Sequence, residues 1–254
     1  MLSKNKIKLI RSLESKKNRT ATGLFVAEGE KMIFDLLQSG IVISELFYTK
    51  KLEEALIKVK SSASIELVSK EEISKISFLK TPSEIVAICK IPTLELDWNR
   101  LKQELILVLD EIQDPGNLGT IVRLADWFGI RTIICSENSV DLFNPKVIQS
   151  TMGSFARVNV HYTDLEIFLA QASKLNIPVY GTFLEGENIY NAKLEASGIV
   201  IMGNEGNGIS KELTAKISKR LTIPPYPLNQ PTSESLNVAI ATAIVCAEFR
   251  RQIR

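Results

Sequence analysis

The sequence predicts an α/β protein in two parts, a small α/β unit followed by a larger one with a mostly parallel sheet. Three observations carry this. Short β-rich runs alternate with helical patterns along the chain. From residue 105 onward those runs become near-continuously apolar or β-branched, as in "LILVLD", "RTIICS" and "GIVIMG", which is the pattern of parallel strands covered by helices on both faces. Between the two series, "IPTLELDWNRLKQ" (91–103) has a proline, mixed polarity and no clean period, which suits a connection. With 254 residues and 45% apolar content, the chain can bury a substantial core.

In the first part "GLFVAEG" (23–29), "SELFYT" (44–49), "SIELVS" (64–69) and "EIVAICK" (84–90) read as strands, separated by helices near 30–39, 51–60 and 70–77. In the second, strands are expected at 105–110, 131–136, 156–160, 178–182, 198–203 and 220–224. Helical patterns fall at 118–128, 144–151, 164–175 and 208–219, and a last one runs from 235 to the end. From Leu236 to Phe249 that last helix is apolar nearly all round, with Asn237, Thr242 and Glu248 the chief exceptions, so it needs cover on more than one side.

Composition excludes several kinds of chemistry. No stretch approaches the roughly 18 to 20 apolar residues of a membrane span, and "MLSKNKIKLIRS" lacks the core of a secretory signal, so a soluble, cytoplasmic protein is expected. Cys89, Cys135 and Cys246 lie far apart, and His161 is the single histidine. No metal site is expected from such a set, and a Ser-His-Asp or Cys-His mechanism is disfavoured. The thiols read as buried and reduced, and His161 as structural or solvent-facing. The net charge of +2 hides an asymmetry: residues 1 to 20 hold seven basic side chains against Glu14 alone, leaving the remainder net acidic. Such a terminus can pair with phosphates or be a solvated, partly helical arm.

Three loops follow buried strands. "DPGNLGTIVR" (114–123) has the spacing N-x-G-x-x-x-R, which is neither the dinucleotide fingerprint nor the phosphate loop. On the helix after it, Ile121, Leu124, Ala125 and Phe128 form the core stripe and Arg123 projects from the other side. An arginine near a helix start opposes the macrodipole, so Arg123 needs an anionic partner or a functional reason. "GIVIMGNEGNGIS" places Gly203, Gly206 and Gly208 around Glu205, more glycine than a turn requires. "RLTIPPYPLNQPTSESLNVAIATAIVCAEF" is a strand, a proline-rich excursion and a helix expected to start at Ser233 or Ser235, where open amides make a polar pocket.

"DPGNLGTIVR", "IVIMGNEGNGIS" and "IP…ESLNVAIA", in that order, resemble the three motifs of the SpoU/TrmH family of RNA ribose 2′-O-methyltransferases, over residues 105 to 254. "NPKVIQSTMGSFARV" (144–158) resembles a further family segment, and "KNRTATGLFVAEGEKMI" (17–33) is similar to the start of the family's L30e-like RNA-binding domain. The resemblance implies an L30e-like domain at 1–95 and a SPOUT methyltransferase domain at 104–254, with a carboxyl-terminal trefoil knot whose loops hold S-adenosylmethionine. Real knots are rare, so that expectation rests on the family alone. Carried across, Asn117, Arg123, Glu205, Ser235 and Asn237 surround the methyl group and ribose. Gly203, Asn204, Glu205, Gly206, Ile223 and the run Ser235, Leu236, Asn237 and Val238 form the cofactor pocket. Lys16, Lys17, Arg19 and Arg123 become RNA contacts, and the last helix a homodimer seam.

Two departures stand out. "PYPLNQPTS" is longer than the family's usual link and has no glycine, and Gln149 and Thr151 replace the arginine and serine that relatives often carry. The resemblance implies methylation of a ribose in structured RNA, ribosomal RNA before transfer RNA. The competing readings are a noncatalytic RNA-binding protein of this fold and a nucleotide-dependent oxidoreductase, the latter disfavoured by the missing fingerprint.

Overall fold

In the computed structural model, which describes residues 1–57, 62–227 and 233–253, the strands form two separate sheets. Contacts group the chain into two units, Met1–Thr93 with Asp141–Ala156, and Leu94–Val140 with Arg157–Arg254.

The first unit opens with α1 (Lys4–Ser12), capped by the Ser3 side chain, and α2 (Lys16–Thr22), which ends at Gly23 with φ of 66°. Its sheet is made of β1 (Leu24–Glu28), β2 (Ile43–Tyr48), β3 (Ser64–Leu67) and β4 (Ile85–Lys90), in the order β1-β4-β2-β3. β4 runs antiparallel to both neighbours, and β3 lies parallel to β2. Three helices complete the unit: α3 (Glu30–Leu37), α4 (Glu53–Ile57) and α5 (Lys70–Ile76). The expected helix at 51–60 is described only to Ile57, and its remainder lies outside the described residues.

The amino-terminal residues are packed rather than a free arm. Leu2, Ile10 and Leu13 join Val26, Phe47, Ile73 and Ile88 in one apolar cluster, because α1 carries an apolar stripe that only this core can cover. Arg19 corrects the RNA-binding expectation. It is 2% exposed, and its guanidinium donates to Asp141 Oδ2 and to the carbonyls of Leu13 and Glu14. Nε, Nη1 and Nη2 are thus engaged with internal acceptors rather than presented to a phosphate. Lys16 and Lys17 remain exposed.

Burial raises the carboxyl pKa of Glu28, although Ser77 and the Phe78 amide hydrogen-bond to it and Arg11 is nearby. A carboxyl whose folded pKa lies above its unfolded value favours the fold most below the unfolded pKa, and that contribution is lost as pH rises through the folded pKa. Glu28→Gln is therefore expected to melt at or above the wild-type temperature at pH 7, and to show a smaller drop in melting temperature between pH 5 and 7. Scanning calorimetry across that range checks it. A larger drop in the variant would place the pH dependence elsewhere.

The second unit is built on β5 (Leu105–Leu109), β6 (Thr132–Cys135), β7 (Asn159–Tyr162), β8 (Val179–Asn188), β9 (Gly198–Met202) and β10 (Lys219–Thr222). Their order is β10-β8-β9-β5-β6-β7, and every adjacent pair is parallel. Short α6 (Trp98–Leu101) precedes β5, and α7 (Pro115–Trp127), α9 (Leu165–Lys174) and α11 (Val238–Gln252) supply the main cover. Leu165, Phe168, Leu169 and Ala172 of α9 pack against Ile106, Val108, Ile199 and Ile201 of the two central strands.

Three expectations change. The helix expected at 208–219 shrinks to α10 (Lys211–Thr214), because Gly208 adopts φ of 68° before it and the Ser218 amide turns to the Val179 carbonyl after it. β8 extends past 182, since its register against β10 jumps from Gly181↔Arg220 to Glu187↔Leu221 and residues 182–186 arch between. α11 starts at Val238 rather than at a serine: Asn237 is its N-cap and accepts from the amides of Ala239 and Ile240. The three thiols are buried, which pushes Cys89 and Cys246 up to about 12 and Cys135 higher still. His161 is half-buried in β7, and burial lowers its pKa.

Residues 141–156, inside the second domain read from the sequence, have their contacts in the first unit. They form α8 (Pro145–Thr151) and a 3-10 turn at Ser154–Ala156. The reason is aromatic: Phe143 and Phe155 meet the ring of Phe25 at 4.7 and 5.7 Å, a burial none of the three could reach alone. Thr151 is buried there with its hydroxyl on the Ile148 carbonyl. Among the described residues no helix is long and apolar enough to cross a membrane.

Candidate functional site

The site lies in the second unit, at the carboxyl ends of β5 and β9, where open parallel sheets place ligands. β5 runs into Asp110, which is 4% exposed and accepts the Ser210 amide at 2.8 Å. Glu111 follows with φ of 54°, unusual for a residue other than glycine. Its amide donates to Ser136 Oγ at 2.9 Å, and its carbonyl accepts Asn204 Nδ2 at 2.9 Å. The turn that launches α7 is thereby tied to the glycine loop after β9.

That loop closes on itself. Asn204 and Gly208 exchange backbone hydrogen bonds of 3.0 and 2.9 Å, and Asn204 Oδ1 accepts the amides of Gly206 and Asn207 at 2.9 and 3.1 Å. A Cβ on Gly203 would sit 2.3 Å from the Gly208 carbonyl carbon and 2.4 Å from the Ile209 nitrogen, so only glycine fits. Asn204, expected to touch the cofactor, has its side chain engaged within the scaffold, where it shapes the loop.

At the loop tip Glu205 is exposed and accepts a hydrogen bond from Asn117 Nδ2. Asn117 Oδ1 in turn accepts from Asn237 Nδ2 at 3.0 Å. Asn117 and Asn237 are each held independently. The Asn117 amide donates to the Asp114 side chain that caps α7, and Asn237 caps α11. Three loops that are distant in sequence thus meet in one polar cluster. Gly203 and Ile223 are half-buried, Val238 is buried, and Gly206, Ser235 and Leu236 are exposed.

Two expected members stay outside the cluster. Arg123 and Ser235 are exposed, and neither has a hydrogen-bond or ion-pair partner among the described residues. The dipole argument for Arg123 also falls. Asp114 starts the helix three residues earlier than the hydrophobic period suggested, leaving Arg123 in the third turn, beyond the reach of the terminal charge. Reading by motif missed Asp110 and the arch at 182–186, whose Thr182 hydroxyl donates to the Ile201 carbonyl at 3.2 Å. An acid closing a wholly apolar strand was the available signal for Asp110. The arch depends on a register jump that no local pattern encodes.

The donor set suits a cationic ligand. Among the described residues one carboxylate, neutral amide oxygens and backbone groups make up the cluster, and no lysine or arginine joins it. A sulfonium meets such a surface favourably, whereas a phosphate needs cations or a bare helix terminus. Among the described residues no group of three or more His, Cys, Asp or Glu side chains could hold a metal.

Comparison with known proteins agrees with this geometry. Residues 104–247 match the SpoU rRNA Methylase family, and residues 4–87 match the MRM3-like substrate binding domain. The chain is 32% identical over 248 residues to the 23S rRNA (guanosine(2553)-2′-O)-methyltransferase RlmP of Bacillus subtilis, covering 96% of each. A Porphyromonas gingivalis structure described within the TrmH family of RNA methyltransferases superposes with a TM-score of 0.90 at 39% identity, covering 99% of both chains. An AdoMet-bound rRNA methyltransferase from Sinorhizobium meliloti gives 0.87 at 30% identity, covering 100% of this chain and 97% of the other. With its motif-bearing loops drawn together at the ends of a parallel sheet, and its likeness to these proteins spanning nearly every residue, the chain belongs to the SpoU rRNA methylase family.

Proposed function

We propose that this protein transfers a methyl group from S-adenosylmethionine to the 2′-hydroxyl of a ribose in ribosomal RNA. The observation that carries this is the Glu205–Asn117–Asn237 chain of hydrogen bonds, with Asn117 in the middle, which joins the three motif loops into one site. The names of the relatives, a 23S rRNA methyltransferase and an AdoMet-bound rRNA methyltransferase, support both substrate and cofactor.

When bound, the cofactor supplies an already activated methyl group, so the chain has mainly to position the hydroxyl and manage its proton. Gly203, Gly206, Ile223, Leu236 and Val238 form the pocket, with Asn204 holding the loop in shape. Glu205 Oε1 is fixed by Asn117, and Oε2 has no partner among the described residues, so it can receive the hydroxyl proton. Arg123 cannot, because guanidinium has no acceptor and stays charged. Its role is to clamp the phosphate beside the target and to stabilise the developing alkoxide. Ser235, exposed beside Asn237, offers a hydroxyl to the ribose.

Membership of the family supports a carboxyl-terminal trefoil knot. Exposed Leu236, Ile240 and Ile253 on and beside α11 support a homodimer. The cytoplasm, where ribosomal RNA is made in bacteria, is the place of action. Incubation with labelled S-adenosylmethionine and RNA from cells lacking this protein tests the proposal: label is expected in the large ribosomal RNA at a 2′-oxygen. Labelled transfer RNA would redirect it, and unlabelled RNA with intact binding would make the chain a noncatalytic RNA-binding protein.

The first unit is the RNA-holding part, with Lys16 and Lys17 as phosphate contacts. Replacing both by glutamine is expected to weaken RNA binding and to lower the slope of log affinity against log salt by about 1 to 2. Filter binding over a salt series measures this. An unchanged slope would take both lysines out of the interface.

A further inference from the structure

β5 is apolar throughout Leu105–Leu109 and is followed by an acid that stays inside the fold, Asp110 at 4% exposed. No cation pairs with it among the described residues. A buried carboxylate without a counter-charge is costly, and an aliphatic side chain would fill the place without that cost. The position therefore calls for an acceptor. What the carboxylate accepts is the amide of Ser210, 100 residues further along the chain, at 2.8 Å. That amide has no other acceptor among the described residues.

Ser210 is where the glycine loop comes back to the sheet. The loop leaves β9 at Gly203, and its outgoing leg is tied by Asn204 Nδ2 to the Glu111 carbonyl. Its return leg is tied by the Ser210 amide to Asp110. Two consecutive residues thus hold both feet of the loop. Between the feet Asn204 and Gly208 pair, and Glu205 stands at the tip against Asn117. Ile209 is buried beside Ser210, which keeps the return leg down on the apolar cluster. Burial is non-directional and leaves the backbone free to turn, whereas a hydrogen bond fixes where it points. We infer that Asp110 is a positioning residue for methyl transfer, whose carboxylate aligns the return leg and through it Glu205 and the cradle of the cofactor. It makes no hydrogen bond to Asn117, Glu205 or Asn237, so it acts through the loop. This rests on the loop holding S-adenosylmethionine.

Two substitutions in the full chain remove the bond from opposite ends. Asp110→Ala deletes the acceptor. Ser210→Pro deletes the donor and keeps the backbone, since Ser210 already has φ of −57°. In the cofactor-free protein either one is expected to speed hydrogen exchange across residues 203–210 by about 10-fold or more. In calorimetry each should weaken S-adenosylmethionine and the neutral S-adenosylhomocysteine alike, by about 10- to 100-fold, the scale of one hydrogen bond to a charged group. The double variant should bind no worse than the weaker single, and Asp110→Asn, which keeps an acceptor, should recover most of the loss. Loss of S-adenosylmethionine with S-adenosylhomocysteine retained would overturn the inference, because the charge would then act on the sulfonium directly. So would additive losses in the double variant, or exchange and affinity unchanged in Asp110→Ala. If Asp110→Ala does not fold, Ser210→Pro set beside Asp110→Asn carries the same test, and equal exchange and affinity in those two would overturn it. Faster exchange in variants of a protein that binds no S-adenosylmethionine would keep Asp110 as the anchor of the loop and remove the cofactor from it.

Discussion

Gly203→Ala is expected to cost the protein its cofactor affinity, by about 100-fold or more in calorimetric titration with S-adenosylmethionine. The added methyl would stand 2.3 to 2.5 Å from the carbonyl carbon and oxygen of Gly208 and the nitrogen of Ile209, all backbone atoms that cannot swing aside. The loop must open, and with it go the Asn204–Gly208 pairing and the placement of Glu205. Overpacking of this kind costs about 1 to 3 kcal/mol. In a chain this size that corresponds to a melting temperature lower by roughly 2 to 12 °C. Gly206→Ala is the control, because its Cβ meets only Asn204 Oδ1 at an unstrained 3.5 Å, and its melting temperature should match wild type. Retained cofactor affinity in Gly203→Ala would mean that the loop is not the cofactor's cradle.

Arg123→Ala should lower turnover by about 10²- to 10³-fold, the scale of removing a group that stabilises charge in the transition state, while cofactor affinity stays within about 2-fold. The separation is expected because Arg123 is exposed and takes no part in the cluster around Glu205. Arg123→Lys should recover only part of the loss, since an ammonium cannot grip a phosphate with two parallel donors. Single-turnover rates with saturating cofactor, set beside calorimetric affinities, make the comparison. A parallel collapse of cofactor affinity would move Arg123 into the cofactor pocket.

The helix and strand assignments show where local pattern suffices. β5, β6 and β9 are each buried along their whole length, and their unbroken apolar runs reported it. The expected helix at 208–219 failed because apolar spacing says nothing about Gly208 turning left-handed or Ser218 being claimed by β8. Arg19 failed for a related reason. A basic residue in a basic segment reads as solvated, and only the fold supplies the carboxylate of Asp141, 122 residues away, that makes burial tolerable.

What the sequence determined alone was the chemistry: which loops carry glycines, amides and a carboxylate, and which strands deliver them. Those follow from residue type and period, which act over a few positions. The tertiary structure alone decided which of these groups touch. It joined Asn117 to Glu205 and Asn237, left Arg123 and Ser235 outside, and spent Asn204 and Arg19 on internal acceptors. Hydrogen bonds form between atoms about 3 Å apart in space, and separation along the chain places no limit on that distance.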